Sequence, residues 1–179
     1  MVTCDVTLVS SDQTHVTIPS AAAWQHIELL RCLVALDEGG CEEMPPIELG
    51  FASEVVQAIA AYLQQTNRIA VDVPKPLTVP LEQLVPAWEM EFVRNAERCE
   101  LLLPLFECTC YLRITGLRNL LAAYVAQRVD EIAKEAPSIM EGAAKVRAYL
   151  QLENEWTAEE MEHLEEEMRY AKQVDPMAY

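Results

Sequence analysis

The sequence predicts an α/β fold: a small sheet covered by helices, with a C-terminal helical extension. Three observations predict it. Residues 2–9 (VTCDVTLV) alternate apolar and polar, and Val16 and Ile18 resume the alternation after the polar turn Ser10-Ser11-Asp12-Gln13, the pattern of a half-buried β-hairpin. From Trp88 onward apolar residues recur at helical spacing almost to the end of the chain. Between them, residues 66–87 hold Pro74, Pro76, Pro80 and Pro86. Proline fixes φ and removes a donor, so this segment reads as a surface connection.

In the first strand Val2, Cys4, Val6 and Leu8 take one face and Thr3, Asp5 and Thr7 the other. Pro19-Ser20 supplies a helix start with Ser20 as N-cap, and Trp24, Ile27, Leu30 and Val34 share one face of the helix that follows. Residues 37–43 (DEGGCEE) form an acidic, glycine-containing loop, and residues 45–49 (PPIEL) a short extended segment. Ser53 caps a second helix with a stripe of Val55, Val56, Ile59, Ala60 and Leu63. Beyond the linker, Leu101, Leu102, Leu105, Phe106 and Leu112 form one apolar set. Pro104 fits only in a first turn, so that helix starts at Leu103 or just before. Gly116 breaks the pattern, and a longer helix follows with Leu117, Leu120, Leu121, Tyr124, Val125, Val129 and Ile132 on one side.

Ala136-Pro137-Ser138 ends that helix, and Ser138 starts a short one through Gly142. Two terminal amphipathic helices then meet at Trp156-Thr157. Thr157 and Glu160 stand at capping-box spacing. Met161, Leu164, Met168 and Ala171 line one face of the last helix, and Glu159, Glu162, Glu165, Glu166 and Glu167 occupy the rest. The expected division is residues 1–135, with the proline-rich linker at about 66–87, and residues 136–179.

The chain has 179 residues, is 51% hydrophobic and carries a formal net charge of −16. That is enough for one domain with a core plus an appendage. Nucleic-acid affinity demands clustered Lys and Arg, so no nucleic-acid partner is expected; an acidic face suits basic protein partners. No apolar run reaches the length of a membrane span, so no membrane partner is expected either. The opening MVTCDVTLVSSD lacks the basic-then-apolar order of a signal peptide. Cys4, Cys32, Cys41, Cys99, Cys108 and Cys110 show no paired spacing, and His15, His26 and His163 are scattered. The cysteines therefore read as small hydrophobes in a reducing compartment, cytoplasmic and nuclear, and neither metal nor cofactor is expected.

No motif for chemistry stands out: no GxSxG, no phosphate-binding glycine loop, no HExxH and no Cys–His pairing for Cys108 or Cys110. A non-enzymatic protein is expected. The glutamates near the end read as a solvated helical face. The apolar residues Val146, Leu150, Leu152, Trp156, Leu164 and Met168, with a stripe continuing to Tyr170, fit two readings equally: packing on the preceding helix, or an interface.

Four segments carry a family resemblance. Residues 6–12 (VTLVSSD), 86–92 (PAWEMEF), 111–117 (YLRITGL) and 146–157 (VRAYLQLENEWT), in this order, resemble the opening strand, the post-linker proline–tryptophan–acidic–phenylalanine segment, the corner and the C-terminal stretch of the Skp adaptor family, subunits of Skp–cullin–F-box ubiquitin ligases. The resemblance implies a BTB/POZ-like domain followed by an F-box-binding helical extension. It implies an adaptor with two faces. Cys110 and Tyr111 stand at the family's cullin-contacting helix end. Val146, Leu150, Leu152, Trp156, Leu164 and Tyr170 fall on its F-box-binding face. The asparagine usual before the corner tyrosine is Cys110 here, and the family's tryptophan is Tyr170. Two alternatives accompany the ligase reading: a Skp-like partner of F-box proteins in a non-ligase assembly, and a self-associating BTB-type structural protein.

Overall fold

The structure is a computed structural model that describes residues 4–36, 44–66, 73–154 and 156–174. It is a mixed α/β chain, mostly helical, with one small sheet. Cα packing divides it into two compact units, residues 1–127 and 128–179.

In the first unit, β1 (Val6–Val9) pairs antiparallel with β2 (His15–Ile18), and β3 (Ile47–Glu48) adds parallel to β1, giving the order β2-β1-β3. The alternation holds: Val6 and Leu8 are buried and Thr7 is half-buried. Val9 is buried as well, because β1 is the central strand. The hairpin turn is held by side chains. The Ser10 hydroxyl donates to Asp12 Oδ1, the Thr14 N–H donates to Ser10 Oγ at 3.0 Å, and Gln13 takes a left-handed φ of 62°. The Ser11 N–H donates to the Phe51 carbonyl at 2.8 Å, tying this turn to the chain beyond β3.

After β2 the expected single helix is two: α1 (Ser20–His26) and α2 (Glu28–Leu36), broken where Ile27 turns extended at ψ 98°. Trp24, Ile27, Leu30 and Val34 still turn inward, Ile27 and Leu30 completely. Ser20 is not the N-cap. It is the first helical residue, and its N–H is satisfied from fifteen residues upstream by Asp5 Oδ1 at 2.9 Å. Ser53 likewise opens α3 (Ser53–Gln65) from inside, with Ala52 at the cap and no side-chain cap bond. The α3 stripe is buried as expected, with Tyr62 added to it. The acidic loop at residues 37–43 lies outside the described residues, as do Val2, Cys41 and residues 67–72 of the linker.

The linker is more than a surface connection: a 3-10 turn at Leu81–Gln83 buries Leu81 completely, and the Leu81 N–H donates to Gln127 Oε1 at 2.8 Å. Next comes α4 (Ala87–Arg98). Here the motif at residues 86–92 packs: the Tyr62 ring lies 5.3 Å from the Trp88 ring and 5.2 Å from the Phe92 ring, and the Tyr62 hydroxyl donates to the buried Glu89 carboxylate at 3.4 Å. Tilted aromatic contacts at these spacings add to area burial in fixing α4 against α3. Then α5 (Leu102–Leu112) starts where Pro104 requires, with the proline in the first turn.

The pattern breaks at Arg113, not at Gly116. Arg113 is left-handed at φ 55°, and Gly116 sits buried inside α6 (Thr115–Glu135). Leu117, Leu120, Leu121 and Tyr124 are buried, whereas Val125, Val129 and Ile132 are half-buried.

In the second unit, Ser138 is a true N-cap: its hydroxyl accepts from the Glu141 N–H at 3.2 Å. The helix it starts does not stop at Gly142; α7 runs Ile139–Tyr149 as one piece. Gly142 marks a close approach there, since a Cβ would stand 3.2 Å from the Ala136 Cβ. The last helix, α8 (Ala158–Val174), opens with the expected capping box. The Thr157 N–H donates to Glu160 Oε2 at 2.8 Å and the Glu160 N–H returns to the Thr157 hydroxyl at 3.3 Å.

Candidate partner-binding site

The residues singled out for binding lie in both units, and each group is described within its own unit. In the first, α5 ends by a left-handed turn. The Ile114 N–H reaches back to the Thr109 carbonyl at 3.1 Å and the Arg113 N–H to the Cys110 carbonyl at 3.2 Å. This fixes which way the last helical turn faces. Cys108, Thr109 and Leu112 point inward, and Cys110 and Tyr111 point out. Tyr111 is 54% exposed, with its ring 6.5 Å from that of Phe51, which the sequence reading did not single out. On α2, Cys32 and Leu33 are exposed, and the Arg113 guanidinium lies 3.6 Å from Cys32 Sγ. The α5 corner therefore presents an exposed tyrosine against a half-buried phenylalanine, and an arginine set against the exposed Cys32.

Chemistry at the neighbouring thiol is blocked. Burial pushes the Cys108 thiol up to about 12, so the thiolate nucleophile is scarce at neutral pH. Among the described residues no group of His, Cys, Asp and Glu could hold a metal ion, and no helix is long and apolar enough to cross a membrane. A groove of about 260 Å³ runs between residues 73–77 and the Ala122, Ala123 and Ala126 face of α6. Among the described residues that line it, Lys75 is the one that carries a charge.

In the second unit the terminal stretch is open. Val146 and Leu150 are half-buried on α7 and at its end. There Gln151 turns left-handed at φ 56°, and the Leu152 N–H closes on the Arg147 carbonyl at 2.9 Å. The same device as at Arg113 thus throws Leu152 outward, 58% exposed, with Trp156 49% exposed shortly after. On α8 the residues Met161, Leu164, Met168 and Ala171 are half-buried, while every other residue of that helix whose burial is described is exposed. The 3-4-3 spacing makes these four one stripe. Tyr170 is 70% exposed and stands six residues from Leu164, about 120° around the helix axis. It therefore shares a second face with Val174, 67% exposed one turn later, rather than the stripe itself. Val174 carried no sequence signal beyond its spacing from Tyr170.

Comparison of the chain with family models and with curated proteins returns no match.

Proposed function

We propose that the protein is a non-enzymatic adaptor of the Skp type: a BTB/POZ-like domain that engages a cullin scaffold, and a C-terminal helical extension that engages F-box substrate receptors, in cytoplasm and nucleus. The observation that carries this reading is the terminal stretch. A capped turn at Gln151 and a capping box at Thr157 frame Leu152 and Trp156, which are large, apolar and exposed. Exposed aromatic and aliphatic anchors on fixed backbone are the usual energetic centre of a protein interface, and they have no catalytic use. The ordered segments of family resemblance supply the partner's identity. The small sheet covered by helices is compatible with it.

Affinity would come from apolar burial at roughly 25 cal/mol per Å², reduced by the cost of association. The test is affinity purification of the full chain with identification of bound chains. Cullin and F-box proteins are expected together. Tyr111→Asp should remove the cullin and spare the F-box protein, and Trp156→Asp should do the reverse; loss of both partners from either variant argues against separate faces. A second reading is favoured by Cys110, exposed at the corner where the family carries asparagine. On that reading F-box proteins are bound outside any ligase, and they would be recovered without cullin.

A further inference from the structure

We infer that the stripe on α8 selects a partner helix whose apolar seam is bordered by lysine or arginine. This deepens, and rests on, the reading of the terminal helices as a docking surface. The helix carries six glutamates against one arginine and one lysine. At 100° per residue, Glu160 and Glu167 border the stripe on one side, and Glu165 borders it on the other, where the Lys172 position also falls. Glu160 is held charged, its carboxyl kept below the ordinary range by the Thr157 N–H and hydroxyl. Among the described residues Glu167 meets only His163, at 3.3 Å. Glu159, Glu162, Glu165 and Glu166 find no ion-pair partner among the described residues.

This charge pattern decides among occupants. A second copy of α8 laid antiparallel along the stripe would set the Glu160 and Glu167 border against itself, and laid parallel would set it against the Glu165 border; like charges flanking a helical seam oppose pairing. A neutral amphipathic helix would leave the carboxylates as they are. A helix with basic flanks neutralises the Glu160 and Glu167 border and meets Glu165 on the other, gaining on-rate and discrimination more than raw affinity.

The test uses the full chain and three synthetic helical peptides. Two share heptad-spaced leucines and differ only in lysine or glutamate flanks. The third is the lysine peptide scrambled to destroy the seam. The lysine-flanked peptide should bind at least about tenfold more tightly than the glutamate-flanked one, with the gap shrinking between about 50 and 300 mM salt. Glu165→Lys combined with Glu167→Lys should narrow or invert the preference. Leu164→Asp adds negative charge, so it should strengthen any purely electrostatic binding; loss of binding shows that the stripe itself is engaged. Equal affinity for the two seam peptides overturns the charge inference alone. No binding by either, or binding unaffected by Leu164→Asp, overturns the docking face and the inference with it. Equal binding of the scrambled peptide, or a stable dimer of the chain by light scattering that Leu164→Asp dissolves, also overturns it.

Discussion

Thr109→Val should stabilise the first unit. Thr109 lies on the buried face of α5 between Leu105 and Leu112, is fully buried, and its hydroxyl oxygen finds no hydrogen-bond partner among the described residues. Its carbonyl, which receives the Ile114 N–H at 3.1 Å, belongs to the backbone and survives the substitution. An unsatisfied buried hydroxyl costs about 1–3 kcal/mol, and a methyl group in the same place contributes roughly 0.8 kcal/mol of transfer free energy. Some of this is offset by the slightly larger methyl group in a packed site; helix propensity is nearly the same for the two residues. The net expectation is about 1–2 kcal/mol, or several degrees in Tm. Equilibrium denaturation reads it as a raised midpoint at unchanged m-value. Thr109→Ser is the control: it keeps the hydroxyl, loses the methyl, and should destabilise. If Thr109→Val instead lowers stability by 1 kcal/mol or more, the hydroxyl has a partner and the argument fails.

Three further outcomes are expected. In the native protein a thiol reagent should modify the exposed Cys32, Cys99 and Cys110 and leave Cys108 until unfolding, since burial holds that thiol at about 12; labelling of Cys108 at the rate of the others contradicts its placement. The Ser10 hydroxyl first, and the Ser53 hydroxyl next, hold the Asp12 carboxyl down to about 2, below its ordinary 3.8; its contribution is therefore present above the ordinary value and lost as pH falls toward about 2, and an NMR titration of the Asp12 carboxyl with a midpoint near 4 would refute the turn geometry. Burial pushes His26 below the ordinary imidazole value, so the unfolded chain takes up this proton first as pH falls below about 6.5; stability should decline with acidification there, and His26→Gln should flatten that slope.

How much was legible follows from where each signal sits along the chain. The hairpin, the α3 stripe, the Pro104 position and the Thr157–Glu160 capping box depend on neighbours within a few residues, and all four are found. Helix boundaries were misread where the deciding group is remote or unusual. The N–H that opens α1 is satisfied by Asp5, which no local rule selects. Three helices, α4, α5 and α7, end in left-handed turns at Glu100, Arg113 and Gln151, positions where glycine is the expected stop. Reading glycine as punctuation therefore misassigned Gly116 and Gly142, both of which are helical and buried. At the candidate site, the exposure of Leu152, Trp156 and Tyr111 was not legible, because a periodic apolar pattern is the same whether a face is covered or open. Neither was the Phe51–Tyr111 pair, which joins residues sixty apart through the packing of α3 against α5.

The exposure of α8 raises the question of what keeps it helical. It has seventeen residues, and a peptide of this length is marginal in water without tertiary packing. Its described side chains offer only a half-buried stripe, and Glu162 with Glu166 places like charges one turn apart. The capping box is thus a main local determinant of its first turn. Thr157→Ala removes the hydroxyl that accepts the Glu160 N–H at 3.3 Å and donates to Glu160 Oε2 at 2.9 Å. A lost threonine cap costs about 1 kcal/mol, so amide exchange in the first turn of α8 should quicken roughly fivefold. The denaturation midpoint of the first unit should not move, because residues 1–127 form a compact unit of their own. If partner binding draws on an already helical α8, the variant should also bind up to about fivefold more weakly, since the complex must then supply the missing order. Unchanged exchange in Thr157→Ala would mean that α8 owes its first turn to contacts other than the box.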